Sequence, residues 1–213
     1  MMFIPIFILI LFGRANSYLF GFEVLNEDES QMMANAIKIY LENYNVFALD
    51  GTSSCFFNSL ILTWPTFIGL DITFLTTRLT AITIISLIFY IIYLYFRIEV
   101  SRSKSIFLIL PAVLFFSLTK DPDFLHYSSE LLSTLLLVFS VYGFKIYLHT
   151  NKIKIHLISI TLLSFVIFSK TQIIPTSLTI FSLICFYYIW KKNYFDFIKV
   201  SIFFTSPIIL III

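Results

Sequence analysis

The chain has 213 residues, of which 59% are hydrophobic and 12% are charged, and its formal net charge is +2. A mean hydropathy of +0.96, with 26 phenylalanines against 5 glycines, lies far outside the usage of soluble globular proteins. This composition excludes a water-soluble domain, and the small, scattered positive charge argues against a nucleic-acid partner. We expect an all-α polytopic membrane protein that forms a single membrane domain over residues 1–213.

The first apolar run predicts a transmembrane helix at 2–22. A signal peptide is a poorer interpretation, because no basic residue precedes the run and no convincing cleavage site follows it. Arg14 lies inside this span, where an arginine is costly unless it reaches the interface or faces a polar cavity. Both interpretations of Arg14 stay open: an interfacial arginine near a helix end, or the cationic wall of a site.

Residues 23–76 form a polar-to-mixed connection that is far longer than the usual link between membrane helices, and long loops in compact proteins tend to be functional. Ser30 is a candidate cap for a helix within this connection. Apolar residues recur on one side of that helix at helical spacing: Met33, Ile37, Leu41 and Tyr44. We therefore expect surface helices that lie along the membrane.

Six further apolar segments predict spans at 77–96, 105–119, 131–148, 156–169, 171–190 and, incompletely, 200–213. Basic residues cluster after the second, fourth and sixth spans, and the positive-inside rule assigns those loops to the cytoplasm. The amino terminus is then cytoplasmic. The long connection, the acidic loop at 121–130 and the turn at Lys170 share the extracytoplasmic face.

The acidic stretch Asn26-Glu27-Asp28-Glu29-Ser30 follows the first span in a chain with few charges. This concentration of polar groups beside a membrane segment predicts the catalytic end of the molecule. A simpler interpretation is also open, since Asp28 and Glu29 suit the first turn of a helix, where the helix dipole favours negative charge.

Other polar residues of the outer face also have two interpretations. Asp121 and Asp123 suit either a turn or a metal or substrate site. Glu130 either caps the span that it begins or faces the site, and Lys170 either extends to the interface from its turn or binds substrate. We expect His126 to be interfacial, because no second His or Cys lies nearby with metal-ligand spacing.

Six short motifs occur in order along the chain: Arg14, Asp28-Glu29, Phe67-Ile68-Gly69, Thr77-Arg78-Leu79, Tyr127-Ser128-Ser129-Glu130-Leu131 and Ser169-Lys170-Thr171-Gln172. Together with the predicted topology, this set resembles the membrane-embedded GT-C glycosyltransferases. The nearest branch includes the protein O-mannosyltransferases and the aminoarabinose transferase of lipid A. Members of that family usually have more membrane segments and often a soluble carboxy-terminal domain, so we expect this chain to correspond to an amino-terminal part.

The resemblance implies a fold of about seven spans in this chain, with a long first extracytoplasmic loop. It also implies an inverting transfer of a sugar from a polyprenyl-phosphate carrier to a lipid, glycan or protein acceptor, outside the cytoplasm and at the bacterial inner membrane. Asp28 matches the family's candidate general base, with Glu29 as its neighbour.

The same resemblance implies a set of substrate-binding residues that stabilise the phosphate leaving group. They are Arg14, Arg78, Lys170, Gln172 and Glu130. No cofactor is certain; a divalent metal ion is a candidate, with Asp121 and Asp123 as its ligands.

The rival class is non-enzymatic: a transporter or lipid flippase fragment, or a scaffold subunit. Few ionisable groups lie at mid-span, and the chain has no pair of broken helices in matching halves, which argues against a transporter.

Overall fold

The computed structural model of the protein describes residues 2–19, 26–44, 56–119, 124 and 126–212. All regular structure in these ranges is helical, as the sequence predicts. The α-helices are α1 (Phe3–Leu19), α2 (Glu27–Leu41), α3 (Phe56–Ile61), α4 (Phe74–Arg97), α5 (Arg102–Leu118), α6 (Ser129–Thr150), α7 (Ile153–Phe165), α8 (Ile174–Trp190) and α9 (Tyr194–Ile212). Short 3-10 turns occur at Trp64–Ile68, Val166–Phe168 and Thr171–Ile173.

Three helices of the described chain are long and apolar enough to cross a membrane: Phe74–Arg97, Ser129–Thr150 and Thr171–Trp190, with 24, 22 and 20 residues. They correspond to the second, fourth and sixth predicted spans. The remaining predicted spans, at 2–22, 105–119, 156–169 and 200–213, stay predictions.

The start of α4 is fixed by a reciprocal cap. The backbone N–H of Thr76 donates to Oγ1 of Thr73 at 3.3 Å, and the N–H of Thr73 donates to Oγ1 of Thr76 at 2.9 Å. This capping box satisfies two backbone donors that a helix start leaves without partners. The helix therefore begins at Phe74, three residues before the predicted start of the span.

Helix α2 begins earlier than the sequence predicts. Its cap is Asn26, whose side chain accepts the N–H of Glu29 at 3.2 Å. The assignment of the cap to Ser30 is wrong, because Ser30 lies inside the first turn and its hydroxyl donates back to the carbonyl of Asn26 at 2.9 Å. Asparagine is as good a cap as serine, and the earlier start gives α2 a first turn with three carboxylates.

The buried side of α2 differs from the apolar stripe that the sequence assigns to the membrane surface. Met32, Ala36 and Ile39 are buried against the rest of the protein. The predicted stripe is offset by one residue and lies outward, with Ile37, Leu41 and Tyr44 among the exposed apolar residues. The stripe is left free to contact a membrane surface, as the sequence predicts, but it does not hold α2 to the protein.

The helices pack as two groups that are joined by α4 and α6. In the first group, α1, α4 and α5 share a core that includes Ile10, Phe89 and Val113. In the second group, α6 to α9 share a core that includes Leu163 and Tyr188. Helices α4 and α6 contact each other along their length, so they connect the two halves.

Small residues allow two of these helix pairs to approach closely, as is common between membrane helices. A Cβ added at Gly13 of α1 would overlap the backbone carbonyl of Ser117 on α5. A Cβ added at Gly143 of α6 would overlap the side chain of Ser159 on α7. Neither position therefore has room for a side chain, and neither glycine has a left-handed backbone conformation.

Candidate functional site

Two carboxylates at the start of α2 face different environments. Asp28 is exposed, whereas Glu29 is 0% exposed. Successive residues of an α-helix are rotated by about 100°, so one carboxylate can face a cavity while the next faces the protein interior. The two residues that the sequence presents as a pair therefore have separate environments.

Glu29 is held by groups from two distant parts of the chain. The Nε–H of Arg78, on α4, donates to Glu29 Oε2 at 3.3 Å. The backbone N–H of Tyr127 donates to the other carboxylate oxygen at 3.2 Å. Burial raises the pKa of Glu29, and the Tyr127 amide and the Arg78 charge oppose that rise. These contacts connect α2, α4 and the segment that leads into α6.

A second buried junction is formed by Asn58 of α3. Its side-chain NH₂ donates to the carbonyl of Ser129 at 3.2 Å and to the carbonyl of Ser169. The hydroxyl of Tyr127 donates to Asn58 Oδ1 at 3.3 Å, and burial raises the pKa of Tyr127, which keeps that hydroxyl protonated. The hydroxyls of Ser133 and Ser169 are 2.7 Å apart and share a hydrogen bond.

The two junctions bring five segments together: the start of α2, α3, the start of α4, the residues that lead into α6 and the turn at Ser169. Beside them lies an open cavity of about 570 Å³. Its polar lining consists of Asn26, Asp28, His126, Ser128, Glu130 and Thr134, and its apolar lining includes Phe89, Phe116 and Phe124. A cavity of this size with a few polar groups on one side is typical of a small-molecule site.

Asp28 is the carboxylate that this arrangement leaves accessible. It lines the cavity and makes no ion pair with any other described residue. Glu130, across the lining, is paired with Lys170 from the turn before α8. The Lys170 side chain is 12% exposed and that of Glu130 is 54% exposed, and Glu130 is the member of the pair that lines the cavity.

Arg14 does not extend to the membrane interface in this structure. It is 1% exposed, its Nε–H donates to the carbonyl of Phe116 on α5, and its guanidinium lies 5.8 Å from the centre of the Phe116 ring. Because Phe116 lines the cavity, Arg14 lies directly behind the cavity wall. Arg14 does not itself line the cavity, and its role as a cationic wall of a site stays a prediction.

The remaining candidate residues are not brought into the cavity lining. Arg78 is 5% exposed and faces Glu29, and Gln172 is exposed on the turn before α8. Asp121 and Asp123 lie outside the described residues. Among the residues that are described, no group of three or more His, Cys, Asp or Glu side chains could hold a metal ion.

Two residues at the site had received no functional role from the sequence. Asn58 lies with Ser59 between apolar residues of Phe56–Ile61, and a polar group inside such a run is a signal that it has a buried partner. His126, expected to be interfacial, is only 8% exposed and lines the cavity. Its cavity partners come from α2, α4 and α5 as well as from its own segment and α6, and the contributions of the distant helices could not be predicted from the sequence.

Comparison of the chain with protein-family models, with curated proteins and with solved structures gave no match.

Proposed function

We propose that this chain forms the catalytic end of a membrane glycosyltransferase that moves a sugar from a polyprenyl-phosphate carrier to an acceptor hydroxyl outside the cytoplasm. The observation that carries the proposal is the accessible carboxylate of Asp28 on a cavity, next to a Glu29 that is fully engaged. A general base must reach the substrate proton and must not be neutralised by a fixed ion pair. Asp28 meets both conditions.

In the proposed reaction, the acceptor oxygen attacks the anomeric carbon of the sugar while the bond from that carbon to the phosphate oxygen breaks. The configuration inverts because attack and departure occur on opposite faces. Asp28 takes the proton of the acceptor hydroxyl, and the electron pair of the broken bond remains on the polyprenyl phosphate. Catalysis then requires positive charge near the departing phosphate.

Lys170 and His126 are the residues that we assign to the phosphate. Lys170 is paired with Glu130, which lines the cavity, and His126 is part of the lining. Glu130 holds the lysine and can release it to a phosphate oxygen, since it is itself half exposed. Arg14 adds its charge from behind the Phe116 wall, where the low dielectric of the interior screens it weakly.

Glu29 and Arg78 act in this scheme as positioning residues. Their buried contact fixes the start of α2 against α4, and Tyr127 fixes the segment that carries His126 against Glu29. The scheme thereby gives Arg78 a different role from the direct phosphate contact that the family resemblance implies. Gln172, on the turn that carries Lys170, stays a substrate-binding candidate at the rim.

The proposed fold is a GT-C-like arrangement with seven spans and the site on the extracytoplasmic face of a bacterial inner membrane. In support of this orientation, Lys145 Nζ of α6 lies 2.9 Å from Glu99 Oε1, so the ends of α4 and α6 that precede the basic loops lie together. Arg78 and its site partners are at the opposite end. Arg78 and Arg97 are about 28 Å apart along α4 at about 1.5 Å per residue, close to the thickness of a hydrocarbon core.

The test is transfer of labelled sugar from a polyprenyl phosphate by membranes that carry the protein. Expected is a labelled acceptor whose new glycosidic bond has the opposite anomeric configuration to the donor. Loss of transfer in Asp28→Asn, with membrane insertion unchanged, would support the assignment of the base. A product with retained configuration, or the absence of transfer from every polyprenyl-phosphate sugar offered, would refute the proposal.

A further inference from the structure

Asn58 is a buried amide whose side chain bonds to two other segments: the residues at the start of α6 and the turn at Ser169. It lies on α3 and is 0% exposed. Its NH₂ group donates to the backbone carbonyls of Ser129 and Ser169, and its Oδ1 accepts the hydroxyl of Tyr127 at 3.3 Å. A primary amide has two N–H donors and one carbonyl oxygen, so both ends of this side chain are in use. The orientation of the amide is therefore fixed by its partners.

Two of these partners immediately precede the two members of one ion pair. Ser129 comes directly before Glu130, and Ser169 comes directly before Lys170. Lys170 Nζ is paired with Glu130 Oε1. The backbone carbonyls next to both charged residues therefore accept hydrogen bonds from the same NH₂ group. Because both N–H bonds belong to one planar amide, the Asn58 side chain holds these two backbones at a fixed separation.

The turn that carries Lys170 depends on side chains outside it for its position against α6. Its own backbone bonds stay local, because the N–H groups of Ser169 and Lys170 both donate to the carbonyl of Val166. The hydroxyl of Ser169 shares a hydrogen bond with that of Ser133 on α6 at 2.7 Å. Asn58 adds a bridge from the Ser169 carbonyl to the start of α6. Loss of the Asn58 amide would therefore remove a polar tie between the turn and α6.

We propose that Asn58 is a positioning residue for the cavity at Asp28, because it sets the separation of Glu130 and Lys170 through the backbones that precede them. Glu130 lines this cavity and Asn58 does not, so Asn58 acts through the ion pair and does not touch a ligand. The part that this positioning plays in sugar transfer rests on the proposed function. Its effect on the Glu130–Lys170 pair does not, and it can be measured without a substrate.

Variants of α3 can separate this role from the general effect of a change in a buried helix. Asn58→Leu removes all three hydrogen bonds. Asn58→Asp keeps the shape and the acceptor for Tyr127 but replaces the NH₂ group by an oxygen that faces two carbonyls. Ser59→Ala is the matched control: Ser59 is the next residue of α3 and is also 0% exposed, but its hydroxyl has no hydrogen-bond partner within the part of the chain that the structure describes.

The experiment compares the reactivity of Lys170 with that of Lys145 in the same protein. Each of these side chains is 12% exposed and paired with a carboxylate, and the two pairs lie towards opposite ends of α6. Purified protein in detergent is treated with limiting acetic anhydride, and acetylation of each lysine is followed by peptide mass spectrometry. Both Asn58 variants are expected to raise the Lys170 rate relative to Lys145 by about two- to fivefold, as for loss of a partly exposed ion pair. Ser59→Ala should keep the wild-type ratio.

Three results would overturn the inference. The first is an unchanged Lys170 rate in an Asn58 variant that folds, because the pair would then not depend on the amide. The second is a rise that Lys145 shares, because that would show a general loosening of the protein. The third is an equal rise in Ser59→Ala, because any change in the buried side of α3 would then have the same effect. Asn58→Asp carries the test if Asn58→Leu folds poorly.

Sugar transfer supplies a second readout that a merely structural role would not move. If Asn58 acts through Lys170, Asn58→Leu should lower kcat in the otherwise wild-type protein and have no further effect in a Lys170→Met protein, since residues that act as a unit are not additive. Equal losses in the two backgrounds would overturn the link to transfer. The absence of transfer by the wild type would refute the proposed function and leave the acetylation result standing.

Discussion

At the scale of single residues, the central feature is that the adjacent residues Asp28 and Glu29 have different environments. Glu29 is buried and accepts hydrogen bonds from Arg78 and the Tyr127 amide, whereas Asp28 faces the cavity. A buried carboxylate with two donors is costly to disturb, because removal of one partner leaves a charge without compensation. The stability of the structure around the cavity should therefore depend on the Glu29–Arg78 pair, and the proposed chemistry on Asp28.

Arg78→Ala is expected to destabilise the protein by about 3–5 kcal/mol, since it leaves Glu29 buried without its cation. The double variant Glu29→Leu, Arg78→Met should recover most of this loss, because it removes both charges together. Unfolding in detergent, followed by circular dichroism, measures both values. Glu27→Gln, which changes an exposed carboxylate in the same turn as Glu29, is the control and should leave the midpoint unchanged. A double variant as unstable as Arg78→Ala would contradict this account of the pair.

The loss in Arg78→Ala should also depend on pH. Burial raises the pKa of Glu29 above its ordinary value of 4.5, and removal of Arg78 takes away a group that opposes the rise. A carboxyl with a raised pKa in the folded state favours folding below its unfolded pKa and loses that contribution as pH rises through the folded value. The difference between Arg78→Ala and wild type should therefore grow as pH rises above the folded pKa of Glu29 in the wild type, which itself lies above 4.5. A difference that is constant with pH would exclude ionised Glu29 as the cause.

At the scale of helices, the close contact of α6 and α7 rests on Gly143 and Ser159. Their approach leaves no room for a Cβ on the glycine, and the hydroxyl of Ser140 donates to the carbonyl of Ser159 at 2.8 Å across the same interface. The interface thus combines a small residue and an interhelical hydrogen bond, the two devices that hold membrane helices together.

Gly143→Ala is expected to cost about 1–3 kcal/mol, because it forces α6 and α7 apart in a packed interior. Adding Ser159→Gly in the same protein should restore most of the stability, since it removes the side chain that the new methyl group meets. Thermal unfolding of the two single variants and the double variant in detergent forms a double-mutant cycle. If the stability losses of the two single variants simply add in the double variant, the contact with the Ser159 side chain is not what destabilises Gly143→Ala.

The helices themselves could largely be predicted from the sequence. In a bilayer, the long apolar runs that form α4 and α6 must satisfy their backbone hydrogen bonds internally, and a helix does so. The residue at which α2 begins could not be predicted. Asn26 and Ser30 are both good caps, and the choice between them depends on which face of α2 meets the interior. The pairing of Glu29 with Arg78 could not be predicted either, since the two residues are far apart in sequence and any of the three carboxylates of the acidic stretch could have formed it.

At the scale of the whole molecule, the proposed orientation puts the start of α4 outside and its end inside. This can be tested with single cysteines in a variant in which Cys55 and Cys185 are replaced by serine. In intact cells, a maleimide that does not cross membranes should label Asp71→Cys and leave Lys104→Cys unlabelled until the membrane is permeabilised. The reverse pattern would invert the orientation and move the cavity at Asp28 to the cytoplasmic face.

The central claim is that Asp28 removes the proton of the acceptor, and its most direct test uses two neighbouring carboxylates of one helix turn. Glu27 is exposed in the same turn and does not line the cavity, so Glu27→Gln is a matched control for Asp28→Asn. With both variants at equal abundance in the membrane, Asp28→Asn is predicted to lower kcat for sugar transfer by about 100-fold or more, while Glu27→Gln stays near wild type. Equal activity of the two variants would contradict the account.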